Sequence, residues 1–244
     1  MVISVITLFP SVFRPLLESS ILAKAQKMDK LRVNLINLRD FGIGRFKQVD
    51  DRVYGGGVGM ILRVEPLFAA IRFAKSKVKA SPKGRKVILL DPQGKRLDQK
   101  TVRRLAKEKH LILICGKYEG VDERVRKIVD EEISIGDYIL SGGEIPALAV
   151  IDAIARLIPG VLDEEATRSE SFSPSTALEP PQYTRPEEFR GMKVPKILLS
   201  GNHPEIAKWR EREALKKTKK LRPDLLPPKP RRSKMRSPAA KKTT

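Results

Sequence analysis

The sequence predicts an α/β protein with a mainly parallel sheet, followed by a small helical domain and a basic tail. Three observations carry this. Apolar, strand-like runs alternate with stretches of helical spacing through residues 1–159. Three Gly- or Pro-bearing loops each follow such a run, at the carboxyl ends of the predicted strands, where open α/β sheets bind ligands. At Pro159 the character changes to an acidic, Ser-rich linker, and the chain ends in a Pro- and Lys/Arg-rich segment.

In chain order, residues 2–9 read as a strand, 20–29 as a helix and 31–38, LRVNLINL, as a cleanly alternating strand. Residues 39–59 are polar and glycine-rich, including most of VDDRVYGGGVGM. Helical spacing resumes at 66–78. There follow a strand at 86–90, a helix at 98–109, a strand at 110–115, a helix at 121–129, a short strand at 132–134 and a helix at 143–157. The linker GVLDEEATRSESFS, within 160–173, is a candidate hinge or lid. A small helical domain is expected over 174–221, with Asn202 capping a helix at about 204–217. Residues 222–244 lack aromatics and are expected to be disordered.

The chain of 244 residues carries a net charge of +20. Residues 206–244 hold 15 Lys or Arg against 3 Asp or Glu, so +12 of that charge lies in the last stretch and the body is moderately basic. Such a balance favours a polyanionic partner, nucleic acid before an anionic membrane surface. No apolar run approaches the roughly 20 residues that span a bilayer. The start, MVISVITLFP, lacks a basic n-region and a small-residue cleavage site, so a cytoplasmic protein is expected. The lone Cys115 cannot form an internal disulfide and is expected to be a small buried hydrophobe. His110 is expected at a strand edge and His203 in a turn; no cluster of ligating residues points to a metal. There is no internal repeat, no P-loop and no dinucleotide fingerprint.

The chemistry-bearing loops are LLDPQG at 89–94, CGKYEGVDER at 115–124 and SIGDYILSGGEIPAL at 134–148. Glycine lets main chain approach a ligand closely, and the free N–H groups at a following helix start can point inward. Together they should form one pocket.

With VDDRVYGGGVGM, YTRPEEFRGMKVP and LLSGNHPEIAKWR, these blocks resemble bacterial tRNA (guanine-N1)-methyltransferase, a SPOUT-class family, over nearly all of 1–223. The resemblance implies that residues 1–159 form a trefoil-knotted domain, a topology that ordinary chain-threading rules would exclude. It also implies S-adenosyl-L-methionine bound by Gly116, Ile135, Gly136, Asp137, Tyr138, Ile139 and Leu140, with Leu90, Pro92, Gly94, Tyr118, Glu119, Gly142 and Gly143 around it. It implies methyl transfer to N1 of guanine 37 of tRNA, beside the anticodon, with Arg156 stabilising charge at O6 and a linker carboxylate as general base. Family members place Asp-Ser-Phe there; this chain has Glu170-Ser171-Phe172, one methylene longer. Should Glu170 not serve, Glu164 or Glu165 is the next candidate.

Arg52, Arg185, Lys208 and Arg210 are candidate tRNA contacts. Arg52 and Arg185 have an alternative as ion-pair partners of Asp50, Asp51 or Glu187, and Trp209 is expected to pack the small domain. The resemblance further implies a homodimer with the pocket completed across the interface. Two alternatives stay open: the same class of enzyme acting on another RNA or atom, and a noncatalytic RNA-binding module.

Overall fold

The structure, a computed structural model, describes residues 1–163, 167, 170–172 and 178–227. The tail at 228–244 and the acids Glu164 and Glu165 lie outside the described residues. The chain divides into two compact units, Met1–Thr167 and Arg168–Thr244.

The first unit runs β1 (Val2–Thr7), α1 (Arg14–Leu17), α2 (Ser20–Lys27), β2 (Arg32–Asn37), β3 (Asp50–Arg52), β4 (Met60–Leu62), α3 (Val64–Ser76) and β5 (Arg85–Arg96). It continues through α4 (Gln99–Leu105), β6 (His110–Cys115), α5 (Glu123–Arg126), β7 (Glu131–Ser134) and α6 (Glu144–Ala155). Five strands pair in the order β2-β1-β6-β5-β7, every pairing parallel, as the alternation of elements predicts. From β5 the chain passes to β6 on one side, then back across β5 to β7 on the other. That reversal is a switch point of the kind that opens a ligand crevice.

Strand periodicity divides the core between two faces. Ile88 and Leu90 of β5 join Ile3, Leu111, Leu113 and the α6 residues Val150, Ile151 and Ile154 on one face. Val87 and Leu89 join Ile6, Ile112, Ile114 and the α3 residues Leu67, Ala70 and Ile71 on the other. Covering on both faces explains why HLILIC in β6 is buried throughout. Side-chain caps set the helix starts: Asp98 Oδ1 accepts the Thr101 N–H at 2.7 Å, and Asp122 Oδ1 accepts that of Arg124 at 2.9 Å.

In the second unit, β8 (Glu188–Phe189) and β9 (Met192–Lys193) form a small antiparallel ribbon, followed by α7 (Lys196–Leu199) and α8 (His203–Leu221). Asn202 caps α8 by accepting the Glu205 N–H at 3.3 Å, and the helix runs longer than the expected 204–217.

Several expectations need correction. The helix expected at 121–129 is a single turn, Glu123–Arg126, because Ile128 and Val129 turn in to pack against the core ahead of β7. β5 does not stop at Leu90; it resumes pairing with β7 at Lys95, and residues 91–94 bulge outward between. The segment 39–59 contains β3, a strand too short for periodicity to reveal. His110 is no edge residue. It sits in the strand between β1 and β5, fully buried, with Nε2 2.9 Å from Ser4 Oγ and Nδ1 without a partner among the described residues.

Burial, reinforced by the nearby Arg85 guanidinium, lowers the His110 pKa from 6.5 to about 4. A lowered histidine pKa means the unfolded chain binds the extra proton first. The stabilisation is therefore complete above about pH 6.5 and disappears as pH falls towards 4. Urea unfolding at pH 7.5 and 4.5 should show the parent losing about 2–3 kcal/mol more than His110→Gln. Parallel losses in the two proteins would rule this out.

Candidate ligand-binding cleft

The three loops converge. A cleft of about 370 Å³ opens at the carboxyl ends of β5, β6 and β7, lined by Leu90–Gln93, Gly116–Gly120, Ile133–Gly136, Tyr138–Leu140, Gly142, Gly143 and Pro146. This lies in the size range of small-molecule sites. Of the residues expected around a cofactor, all line it except Gly94 and Asp137. Asp137 instead pairs with Arg96 at 3.8 Å on the surface. Gly94 is used for packing: a Cβ there would lie 2.4 Å from the Ile133 nitrogen, so the bulge after Leu90 presses directly on the β7 backbone.

The second and third loops are locked main chain to main chain. Gly143 N–H donates to the Gly116 carbonyl at 2.8 Å, Lys117 bridges Gly142, and a Cβ on Gly143 would sit 2.6 Å from Cys115 Cα. Beneath this contact Glu144, buried at the first turn of α6, accepts the Thr7 hydroxyl at 2.8 Å. Cys115 is buried as expected. Its thiol pKa is pushed well up by burial and by the field of Glu144, so it is no nucleophile. Tyr118 takes a left-handed backbone conformation, φ +60°, a strained geometry typical of ligand clamps.

Sequence reasoning missed Asp91 as a wall residue and the network behind it. Arg126 donates to Asp91 at 3.1 Å, to Glu123 at 3.0 Å and also to Glu132, tying the β5 bulge to α5 and β7. Desolvation opposes its charge, yet the fields of Asp91, Glu132 and Glu123 raise its pKa. Arg104 adds a bidentate pair to Glu131, at 2.5 and 2.6 Å. The signal available was the acidic pair ahead of SIGDY, too common to single out.

The cleft can take a small ligand with an apolar body and hydrogen-bond acceptors. It offers apolar walls from Leu90, Ile133, Ile135, Leu140 and Pro146, and the main-chain N–H groups of Ile139 and Leu140 find no acceptor among the described residues. No group of three or more metal-ligating side chains occurs among the described residues.

Arg156 is not in the cleft wall. It caps the carboxyl end of α6, and that helix, 12 residues long, carries it about 18 Å from the glycine loop at its start. Glu170 belongs to the second unit, half-buried beside Ser171; Ser171 N–H donates to Glu179 Oε1 at 3.0 Å and Glu179 N–H to Ser171 Oγ at 3.1 Å. Asp51 pairs with Arg63 at 3.0 Å rather than with Arg52; Arg52 and Arg185 are exposed and make no ion pair among the described residues. Lys208 pairs with Glu205 at 2.8 Å, while Arg210 lines a groove of the second unit with Tyr183, Arg185 and His203. Trp209 is half-buried on α8.

An open parallel sheet with one main-chain-walled cleft at its switch point defines a small-ligand-binding α/β domain, here followed by a second, basic unit. The chain belongs to a family within that class, tRNA (Guanine-1)-methyltransferase TrmD, whose model matches residues 1–228. It is 51% identical over 227 residues to a tRNA (guanine-N(1)-)-methyltransferase of Symbiobacterium thermophilum, covering 93% of this chain and 92% of the relative. It is 53% identical over 229 residues to that of Carboxydothermus hydrogenoformans, covering 93% and 87%. Among solved structures it is similar to the tRNA (m1G37) methyltransferase of Aquifex aeolicus, with TM-score 0.74, 45% identity and coverage of 92% and 94%.

The locked glycine contact makes a graded prediction. Gly143→Ala drives a methyl into backbone and should lower stability by about 1–3 kcal/mol or more, with loss of ligand affinity. Gly84→Ala, whose methyl would meet only the Lys109 side chain at 3.6 Å, should be neutral within about 0.5 kcal/mol. Thermal melts of both check this, and equal stability would mean the loops are free to part.

Proposed function

We propose that this protein transfers a methyl group from S-adenosyl-L-methionine to N1 of guanine 37 in tRNA. The observation that carries the reading is the main-chain-walled cleft, where the Ile139 and Leu140 amides find no acceptor among the described residues, in a chain belonging to this family. When bound, the sulfonium donor supplies an already electrophilic methyl. The protein's work is therefore to align the acceptor and manage one proton. Leu90, Gly116, Ile135, Gly136, Tyr138–Leu140 and Gly142–Gly143 hold and orient the donor. Glu170 accepts the proton from N1, and the Arg156 guanidinium stabilises the charge that moves to O6.

The length of α6 supports a further element of this reading. Arg156, about 18 Å along α6 from the glycine loop, does not line the cleft of its own chain. A homodimer that completes each cleft with a partner's arginine and carboxylate resolves this. Gly94 against Ile133 and Gly143 against Cys115 support the interlaced, trefoil-knotted reading of the first unit. No helix among the described residues is long and apolar enough to cross a membrane, in keeping with a cytoplasmic tRNA-modifying enzyme.

Purified protein, S-adenosyl-L-methionine and unmodified tRNA transcripts with guanines at 36 and 37 should yield 1-methylguanosine on digestion; its absence from several such tRNAs defeats the reading. In single-turnover assays Glu170→Ala should slow transfer about 10²–10⁴-fold and Arg156→Ala about 10²–10³-fold, with Glu170→Asp retaining part of the rate. An undiminished Glu170→Ala enzyme would move the base elsewhere.

A further inference from the structure

Two adjoining hairpins of the first unit present the most exposed aromatic groups on the chain. The first closes through Ile43 and Gln48, each N–H donating to the other's carbonyl, at 2.9 and 3.0 Å. Its four-residue tip, Gly44-Arg45-Phe46-Lys47, is fixed by left-handed backbone at Gly44 and Lys47 and by the Lys47 N–H to the Gly44 carbonyl. Gly42 lies so near the Lys47 carbonyl that a Cβ there would be 2.2 Å away. Phe46 is thereby held 89% exposed on a defined turn. The second hairpin is the β3–β4 ribbon, joined to the first by the fully buried Val49, with Tyr54 99% exposed at its tip.

The ribbon is hydrogen-bonded to the cleft. Glu119 N–H donates to the Met60 carbonyl at 3.1 Å, Leu62 N–H to the Gly120 carbonyl at 3.0 Å and Asp122 N–H to the Leu62 carbonyl at 2.9 Å. These hairpins therefore stand on the loop that walls the ligand site. Arg45 and Lys47 flank Phe46 directly, both exposed and neither in an ion pair among the described residues; the stretch 39–52 also carries the exposed Arg39 and Arg52 against Asp40, Asp50 and Asp51, the last paired with Arg63. An aromatic face on a rigid turn flanked by unpaired cations matches the chemistry of single-stranded nucleic acid, a π-face for one base and charge for neighbouring phosphates.

We propose that the 43–48 hairpin docks single-stranded RNA, with Phe46 stacking on an unpaired base outside the cleft and Arg45 and Lys47 holding the flanking phosphates. This rests on the reading of tRNA as substrate and adds the surface that grips the loop around the target guanine. The test compares tRNA-transcript affinities, by anisotropy at several salt concentrations, for the parent, Phe46→Ala, Phe46→Leu, Phe46→Trp and Arg45→Gln/Lys47→Gln. S-adenosyl-L-methionine affinity, thermal melts and sedimentation are followed alongside.

Expected are about 5- to 100-fold weaker RNA binding for Phe46→Ala and Phe46→Leu, near-parent binding for Phe46→Trp, and unchanged donor affinity and melting. The double variant should reduce the slope of log K against log salt by about 1–2. Phe46→Ala binding RNA within twofold of the parent overturns the proposal. So does a Phe46→Ala protein that changes oligomeric state, which would assign the turn to a contact between copies. A parent that neither binds nor methylates tRNA overturns the function itself, whereas a working parent with an indifferent Phe46 overturns this surface alone.

Discussion

The site depends on one contact between two stretches of backbone, the hydrogen bond from Gly143 to Gly116 with no side chain between them. It closes the loop after β6 onto the start of α6 and so converts two separate turns into one wall of the cleft. Because both partners are main chain, the spacing is set by covalent geometry rather than by a rotamer. The cleft is held open to a fixed width before any ligand arrives, which lowers the ordering cost of binding. The Arg126 network does the same for the opposite wall by anchoring Asp91. Arg126 and Asp91 are largely withdrawn from water, so their mutual attraction is less screened than that of surface pairs.

A rigid α6 both starts at the cleft and ends at Arg156. One helix thus holds the glycine loop and the Arg156 backbone about 18 Å apart. Under the proposed chemistry, donor binding and charge stabilisation at O6 are assigned to different copies of the same helix. Under the same reading the proposed base, Glu170, sits in a segment where Ser171 and Glu179 exchange two hydrogen bonds.

Periodicity made most of the first unit legible. The strand at 110–115 was read with its observed bounds because a continuous apolar run has few other uses, and the loops that wall the cleft were identified by glycines that follow strands. What escaped was set by tertiary contact. β5 continues past a polar bulge because β7 offers partners at Ile133 and Ser134, which no local pattern in DPQGKR announces. The helix after Asp122 ended early because its apolar residues were needed in the core. His110 was misplaced because a polar residue at a strand start suggests an edge, whereas the strand order, invisible in one sequence, puts it in the middle. Asp91 lies in a loop the sequence marks, but its anchoring was hidden because it depends on an arginine 35 residues away.

The order of strands also bears on how the chain is made. β1 can pair with β2 as soon as Asn37 has emerged, but its other neighbour is β6, which begins at His110. At about 5–20 residues per second, a ribosome needs on the order of 4–15 s to deliver that partner. Through that interval one flank of an apolar strand waits unpaired on the nascent chain, a natural target for holding chaperones and for pairing with a neighbour on the same polysome.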